Sequence, residues 1–266
     1  MPIRLSPTFR EALAAADRPL AGMWVASGST VAAEICAGAG LDWLLLDMEH
    51  GPNGLESVLA QLQAVAPYPV TPVVRVPFGD TVTIKQVLDL GAQNILVPMV
   101  SSASEAEAVV SAAHYPPRGR RGVGAALARS SRWGRVEGYV PDASSHVSVV
   151  VQIETAEGVA NAAEIAAVDG VDGVFVGPAD LSAAMGLTGL QTHPDVQAAV
   201  RATFDAVNAA GKPVGVNAFD HDVARAYLDA GASFVAVGAD VTLLVQGSSR
   251  LAAAFVPDAG SAGATY

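Results

Sequence analysis

The chain has 266 residues, of which 51% are hydrophobic, so a single domain of this length can bury a large core. Its formal net charge of −11 argues against nucleic acid and anionic membrane surfaces as partners, because both are polyanions. Cys36 is the only cysteine, which excludes a disulfide framework and a thiolate zinc site, and no apolar run has the length of a signal peptide or a membrane span. These features predict a cytoplasmic protein whose partners are small molecules.

Short apolar runs alternate with helical patterns along the chain. A first helix, FREALAAA, follows Ser6-Pro7, and the later apolar runs are LAGMWVA, LDWLLLD, VTPVVRVP, QNILVPMV, VSVVVQIE, VDGVFVGP, KPVGVNAF and SFVAVGAD. Each is followed by a helical pattern, and continuous rather than alternating apolar runs are typical of parallel strands covered on both faces. About eight such repeats predict one TIM (β/α)8 barrel over residues 1–256. A doubly wound sheet is the alternative, but no glycine-rich dinucleotide fingerprint follows the first strand.

Two segments depart from this repeat. Residues 115–135 are rich in glycine and contain six arginines, which are Arg118, Arg120, Arg121, Arg129, Arg132 and Arg135. Such a run is a solvated face, an anion-binding loop or a subunit contact. The last residues, 257–266, are mostly small and are predicted to form a disordered tail.

Polar residues with chemical potential stand where the predicted strands end. In a TIM barrel these ends share the catalytic rim. The rim residues are Trp24, Asp47, Glu49, His50, Arg75, Gln152, Glu154, Gly177, Pro178, Ala179, Asp180 and Asn217. Glu154 and Asp180 follow successive strands, so they are candidates for a divalent-metal site, although each could instead cap the helix that follows it.

Acid–base chemistry and charge stabilisation have candidates among the same residues. His50 is the only histidine that closes a buried strand, and it is a candidate acid–base group. Arg75 could stabilise a developing negative charge, or pair with a buried carboxylate such as Asp47, or do both. The only lysines, Lys85 and Lys212, are predicted away from the rim, which argues against a Schiff-base mechanism and favours a metal as electron sink.

Seven segments together carry a resemblance to a known family. They are DWLLLDMEHG, PVVRVP, QNILVPMV, RGVGAALARSSRW, VVQIETAEG, GVFVGPADLS and SFVAVGAD, in matching order between Ala21 and Leu244. This set resembles the HpcH/HpaI-type class II pyruvate aldolases, of the 4-hydroxy-2-oxoheptanedioate aldolase type. The resemblance implies a TIM barrel, assembled as a homohexamer (a trimer of dimers) whose N-terminal and C-terminal helices are exchanged between subunits. It also implies a magnesium, manganese or cobalt ion, and reversible cleavage of 4-hydroxy-2-oxo acids to pyruvate and an aldehyde.

The resemblance also implies roles for single residues. Glu154 and Asp180 would be the metal ligands, and Gln152 with the Gly177-Pro178-Ala179 turn would receive the substrate oxygens. Arg75 would stabilise the enolate oxygen of pyruvate and His50 would exchange the proton. Trp24 would form a wall of the pocket. Asp89 would orient His50, although the helical pattern of IKQVLDLG turns Asp89 away from the buried stripe, which leaves it either an ordinary exposed residue or a partner of a histidine across a subunit interface.

Asn217 departs from the family pattern, which is usually apolar at this position, and so suggests a polar acceptor aldehyde rather than succinic semialdehyde. Other functions on the same scaffold remain alternatives. They are decarboxylation of a 2-oxo diacid such as oxaloacetate, an acyl-CoA lyase, a carboxylate-binding barrel without turnover, and a phosphate-handling barrel with its site at Gly238 and Ala239 after the eighth strand.

Overall fold

The computed structural model describes residues 3–256, which form a closed barrel of eight parallel strands in chain order. The strands are β1 (Leu20–Val25), β2 (Trp43–Asp47), β3 (Thr71–Arg75), β4 (Asn94–Val97), β5 (Ser148–Ile153), β6 (Gly173–Val176), β7 (Val214–Asn217) and β8 (Phe234–Ala239). The predicted TIM barrel is therefore confirmed. The predicted disordered tail, residues 257–266, lies outside the described residues.

Twelve α-helices surround the barrel within residues 3–256. They are α1 (Phe9–Ala15), α2 (Thr30–Ala37), α3 (Leu55–Ala64), α4 (Thr81–Asp89), α5 (Ala103–Ala113), α6 (Tyr139–Asp142), α7 (Ala156–Ala160), α8 (Ala162–Ala167), α9 (Pro178–Ala184), α10 (Pro194–Ala209), α11 (His221–Asp229) and α12 (Asp240–Phe255). None of them combines the length and the apolarity needed to cross a bilayer. The single helix predicted after β5 is instead two short helices that meet at Asn161.

An aromatic cluster fills the barrel interior. Trp43, Phe175 and Phe234 point inward from three strands, and glycines make room for two of their rings, because a Cβ at Gly22 would overlap Trp43 and one at Gly215 would overlap Phe234. This packed interior leaves no pore through the barrel, so chemistry is confined to its ends.

Helix α1 closes the end of the barrel opposite the catalytic rim. Its residue Phe9 is 1% exposed and meets the ring of Phe234 edge to face at 5.1 Å. A capping box between Thr8 and Glu11 begins the helix, and the Asn94 side chain accepts the Phe9 N–H at 2.6 Å. In the single chain, α1 therefore packs on its own barrel, and its exchange between subunits stays a prediction.

Helix α12 leaves much of its apolar surface exposed. It lies against β1, β8 and α2, yet Leu244 is 72% exposed and Leu251 is 65% exposed, beside the exposed Ile35 of α2. An apolar surface of this kind is typical of a protein–protein contact. It agrees with the expected role of the C-terminal helix in assembly, which also stays a prediction.

Strand register puts the residues of the rim at matching heights. Ile153 pairs with Val176, and Val176 pairs with Val216, so the next residues, Glu154, Gly177 and Asn217, are level on three neighbouring strands. On the other side of the barrel, Asp47 of β2 pairs directly with Arg75 of β3. The fold thus brings together carboxylates, an amide and a guanidinium that are far apart in the sequence.

Candidate active site

A cavity of about 670 Å³ opens at the C-terminal ends of the strands. Its lining includes nine of the predicted site residues, which are Trp24, His50, Arg75, Gln152, Gly177, Pro178, Ala179, Asp180 and Asn217. Glu154, also predicted, lies directly behind this lining and accepts a hydrogen bond from Gln152. Of the predicted set, only Asp89 is separated from the cavity.

Arg75 is fixed on three sides. Its Nε and Nη2 donate to the two carboxylate oxygens of Asp47 at 2.8 and 2.7 Å, and its Nη1 lies 2.7 Å from Glu49 Oε2. The guanidinium also stacks over the Trp24 ring, 4.8 Å from its centroid. A guanidinium has five N–H groups, so donors remain for a substrate oxygen in the cavity after these contacts are made. The hypothesis that one arginine both pairs with Asp47 and faces the substrate fits this geometry.

The charges around Arg75 keep it protonated. Burial works to lower the pKa of Arg75, but the hydrogen bond to Asp47 and the negative charges of Asp47 and Glu49 raise it overall. Burial raises the pKa of Glu49, and the Arg75 charge opposes that rise. Sequence reasoning noted Glu49 at the end of β2 without giving it a role. Its contact with Arg75 depends on side-chain packing that no local pattern encodes.

Glu154 is a buried carboxylate held by two donors. The Met99 N–H donates to Oε1 at 2.8 Å, and the Gln152 side-chain amide donates to Oε2. Burial raises the pKa of Glu154 to about 7, the Met99 hydrogen bond opposes the rise, and the charges of Glu49 and Asp180 add to it. Met99 has a positive φ of 60°, a conformation that is rare outside glycine and clusters at functional sites. Sequence reasoning missed Met99, because its contribution is a backbone N–H.

The residues near Glu154 suit a divalent metal. Gln152 Oε1 is buried without a hydrogen-bond partner, and burial together with the negative charges of Glu49 and Asp180 raises the pKa of Glu154, which a bound cation would oppose. Carboxylate and amide oxygens are the donors that hard cations prefer. Residues 3–256 contain no group of three or more His, Cys, Asp or Glu side chains arranged to hold a metal. If Glu154 and Asp180 hold a cation, its remaining ligands would be water and substrate.

Gly177 lets the cavity approach Glu154 closely. A Cβ at Gly177 would lie 2.6 Å from Glu154 Oε2 and 2.8 Å from Gln152 Nε2. Helix α9 starts at the next residue, Pro178, which has no N–H, so the first backbone donors facing the cavity belong to Ala179 and Asp180. Donors at a helix start favour an anionic oxygen.

His50 lies on the exposed rim of the cavity, whereas Asp89 lies elsewhere. The His50 side chain is 66% exposed, and its Nε2 is 3.9 Å from Glu49 Oε2. Asp89 is the last residue of α4 and accepts a hydrogen bond from the buried Arg121 at 2.6 Å. Within one chain, Asp89 therefore pairs with an arginine, which leaves a contact with His50 to a neighbouring subunit.

The arginine-rich segment uses much of its charge inside the chain. Arg121 is 1% exposed and stacks on Tyr115 besides binding Asp89. Arg129 donates to the Leu90 carbonyl, and Arg132 donates to the Arg129 carbonyl. Burial lowers the pKa of Arg129 to about 10, and the Arg132 charge adds to the effect. These contacts fix the segment against α4 and account for three of its six arginines.

A carboxylate of the chain itself occupies the region at the ends of β1 and β8 where a phosphate could otherwise bind. Asp240 is 7% exposed and accepts hydrogen bonds from the backbone of Ala26 at 2.9 Å and of Ser27 at 3.1 Å. Asp240 also accepts the N–H of Val241 at 2.8 Å, so a backbone donor that follows β8 is already in use. The use of these N–H groups by Asp240 argues against a phosphate-handling barrel.

Comparison with known proteins agrees with this geometry. The family model "HpcH/HpaI aldolase/citrate lyase" matches residues 20–247. A curated relative from Salmonella heidelberg (strain SL476), named 4-hydroxy-2-oxo-heptane-1,7-dioate aldolase, is 52% identical over 257 residues, which cover 97% of each chain. The crystal structure of an HpcH/HpaI aldolase/citrate lyase family protein from Burkholderia cenocepacia J2315 is 39% identical, with a TM-score of 0.88 over 92% of this chain and 97% of that one.

A second solved structure is also similar to this chain. The HpcH/HpaI aldolase from Desulfitobacterium hafniense DCB-2 is 26% identical and has a TM-score of 0.85 over 96% of this chain and all of that one. The names of these relatives indicate a carbon–carbon lyase and, within that class, favour an aldolase over the acyl-CoA lyase and decarboxylase alternatives, and over a barrel without turnover. The resemblance found in the sequence is confirmed, and the chain belongs to the HpcH/HpaI aldolase/citrate lyase family.

Proposed function

We propose that the protein is a metal-dependent class II aldolase that reversibly cleaves 4-hydroxy-2-oxo acids to pyruvate and an aldehyde. The observation that carries this proposal is that groups of opposite charge lie on two sides of one cavity. Glu154 and Asp180 offer carboxylates on one side, and Arg75, held by Asp47 and Glu49, offers N–H donors on the other. A 2-oxo acid matches this pattern, because its carboxylate and keto oxygens can meet a cation and an arginine together.

The proposed metal rests on the donor atoms near Glu154. Glu154 and Asp180 would hold Mg²⁺, Mn²⁺ or Co²⁺, with Gln152 beside them. When bound, the cation would withdraw electrons from the carbonyl of the 2-oxo acid. The lysines support the choice of a metal over a Schiff base, because Lys85 lies in α4 and Lys212 donates to the Val171 carbonyl at 2.7 Å, just before β7 begins.

The protein's own residues would supply binding, orientation and proton transfer. The Ala179 N–H would receive the substrate carboxylate, and Trp24 would wall the pocket. Arg75 would stabilise the enolate oxygen through its remaining N–H groups, a kind of interaction worth about 10²–10³ in rate when one donor is removed. His50 on the rim would take the proton from the substrate hydroxyl in cleavage, or from the pyruvate methyl group in condensation.

Asp89 can take part in the proposed mechanism only in an assembly of several chains. We propose that Asp89 orients His50 across a subunit interface within a homohexamer built as a trimer of dimers. Two observations support this: Asp89 lies apart from the cavity of its own chain, and Arg121 fixes its carboxylate at the surface. Asp89→Asn is expected to reduce turnover, and because it also removes the carboxylate that pairs with the buried Arg121, thermal unfolding checks that the fold survives. Unchanged turnover in this variant would remove Asp89 from the mechanism.

The test of the function is pyruvate release from 4-hydroxy-2-oxo acids, coupled to lactate dehydrogenase. Protein treated with a chelator is compared with protein to which Mn²⁺ or Mg²⁺ has been restored. We expect metal-dependent release that is lost in His50→Ala and in Glu154→Ala. Glu164→Ala, on the outer helix α8, is the control and keeps full release. Folded protein that releases no pyruvate with any metal would contradict the aldolase proposal.

A further inference from the structure

The half of the cavity formed by β7, β8 and the segment between α9 and α10 is polar. Its polar lining residues are Gln191, Thr192, Asn217, Asp220, Tyr227 and Thr242. Apolar contacts come from Phe219, Val223, Ala239 and Val241. In the proposed reaction, the metal ligands and Arg75 occupy the opposite half, so this half receives the acceptor aldehyde.

Asn217 belongs to this half and ends the strand next to β6, whose following residues line the metal side of the cavity. It is level with Gly177 on the neighbouring strand and with Glu154 one strand further, and neighbouring strands are about 4.8 Å apart. Its side chain lines the cavity and is partly exposed. A carboxamide can both donate and accept hydrogen bonds, and a hydroxyl group needs the same two kinds of partner.

The charge of this half disfavours an anionic acceptor. Within one chain, Arg75 is the only arginine or lysine among the described residues that line the cavity, and Asp47 and Glu49 already neutralise it. Asp220 and Asp180 add negative charge at the rim. Asp220 begins α11 and accepts the N–H groups of Asp222 and Val223, which lower its pKa and keep it ionised. A carboxylate at the far end of the acceptor would therefore meet negative rather than positive groups.

We propose that the acceptor is an uncharged, hydroxylated aldehyde, and that Asn217 selects it by hydrogen bonding to its hydroxyl groups. The proposal rests on the aldolase function proposed above. The proposed acceptor differs from that of an enzyme that cleaves a heptane-1,7-dioate, because the aldehyde released from a heptane-1,7-dioate carries a carboxylate. Substrates of this kind come from the dehydration of sugar acids, a class of reaction that leaves a 2-oxo acid with hydroxyl groups beyond C4.

The experiment compares acceptors in the condensation direction. Pyruvate and Mn²⁺ are held constant, and kcat/KM is measured for glyceraldehyde, for propanal as the three-carbon acceptor without hydroxyl groups, and for succinic semialdehyde as the anionic one. We expect glyceraldehyde to exceed propanal about tenfold, which corresponds to ~1.4 kcal/mol, and to exceed succinic semialdehyde as well. In Asn217→Leu the ratio of glyceraldehyde to propanal falls to about one. Asn208→Leu, on the outer helix α10, keeps the wild-type ratio.

The outcomes separate the two proposals. Deuterium exchange into the methyl group of pyruvate, followed by NMR without any aldehyde, reports the first half of the reaction independently of the acceptor. Exchange together with a preference for succinic semialdehyde, or with an unchanged ratio in Asn217→Leu, overturns the acceptor assignment alone. Absence of exchange together with absence of condensation for every aldehyde overturns both. The wild-type panel tests the proposed class of acceptor even where a variant does not fold.

Discussion

Replacement of Gly177 by alanine tests whether the position of Glu154 controls metal binding. The new Cβ would start 2.6 Å from Glu154 Oε2, whereas ordinary contacts begin at 3.4 Å, so the carboxylate must move by about 0.8 Å. Metal ligands tolerate displacements of only about 0.2 Å. We therefore expect the affinity for Mn²⁺ to fall about 10- to 100-fold, and kcat/KM for pyruvate release to fall about 100-fold.

The same substitution should leave the fold intact. Gly177 has φ −100°, which alanine adopts without strain, and the atom that must move is the end of a side chain. Calorimetric titration with Mn²⁺ measures the affinity, and thermal unfolding checks the fold. Gly238→Ala is the matched control, because its Cβ would meet nothing within 4 Å. Wild-type affinity and turnover in Gly177→Ala would refute the reasoning.

Three further expectations follow from the charges. Because burial raises the pKa of Glu154 to about 7, protons compete with the metal below that pH, so Mn²⁺ affinity measured by calorimetry should fall about fivefold from pH 7 to pH 6 and level off above pH 8; a flat profile would contradict this. Arg75→Lys loses the fork that binds Asp47 and faces the substrate, so kcat should fall about 100- to 1000-fold; steady-state kinetics showing less than a tenfold loss would argue against that role. Burial lowers the pKa of His114 to about 4 from 6.5, so the unfolded chain takes up a proton first as pH falls, and His114 alone should lower the stability measured by urea unfolding by about 2 kcal/mol from pH 7 to pH 5, while Glu154 with its raised pKa contributes in the opposite direction. His114→Gln should lose most of that difference, and an equal slope in the variant would contradict the assignment.

The candidate site residues whose location the sequence predicted correctly are those whose positions depend on where the strands end. Glu154, Arg75 and Asn217 each end a continuous apolar run, and parallel strands of one barrel end on the same rim, so the positions of these residues follow from the pattern. The same logic identified Gly177 without explaining it. Its role depends on the distance to a side chain from the neighbouring strand, which becomes visible only in three dimensions.

The contacts that sequence reasoning missed depend on packing between distant segments. The pairing of Asp89 with Arg121 joins α4 to the arginine-rich segment, and no spacing within either segment encodes it. The Met99 N–H reaches Glu154 because the backbone takes a left-handed turn at a methionine, a residue that gives no local signal for such a turn. Side-chain partners and unusual backbone angles are set by the assembled barrel, whereas strand ends are set by the local sequence.

The buried carboxylate of Asp240 affects how strongly the protein is expected to bind phosphorylated metabolites. Many cellular compounds carry phosphate groups, and a barrel with free N–H groups after its last strand would bind them and be inhibited by them. Here Asp240 holds the Ala26 and Ser27 backbone permanently and adds a negative charge beside them. We therefore expect phosphorylated sugars and inorganic phosphate to compete poorly for this end of the barrel.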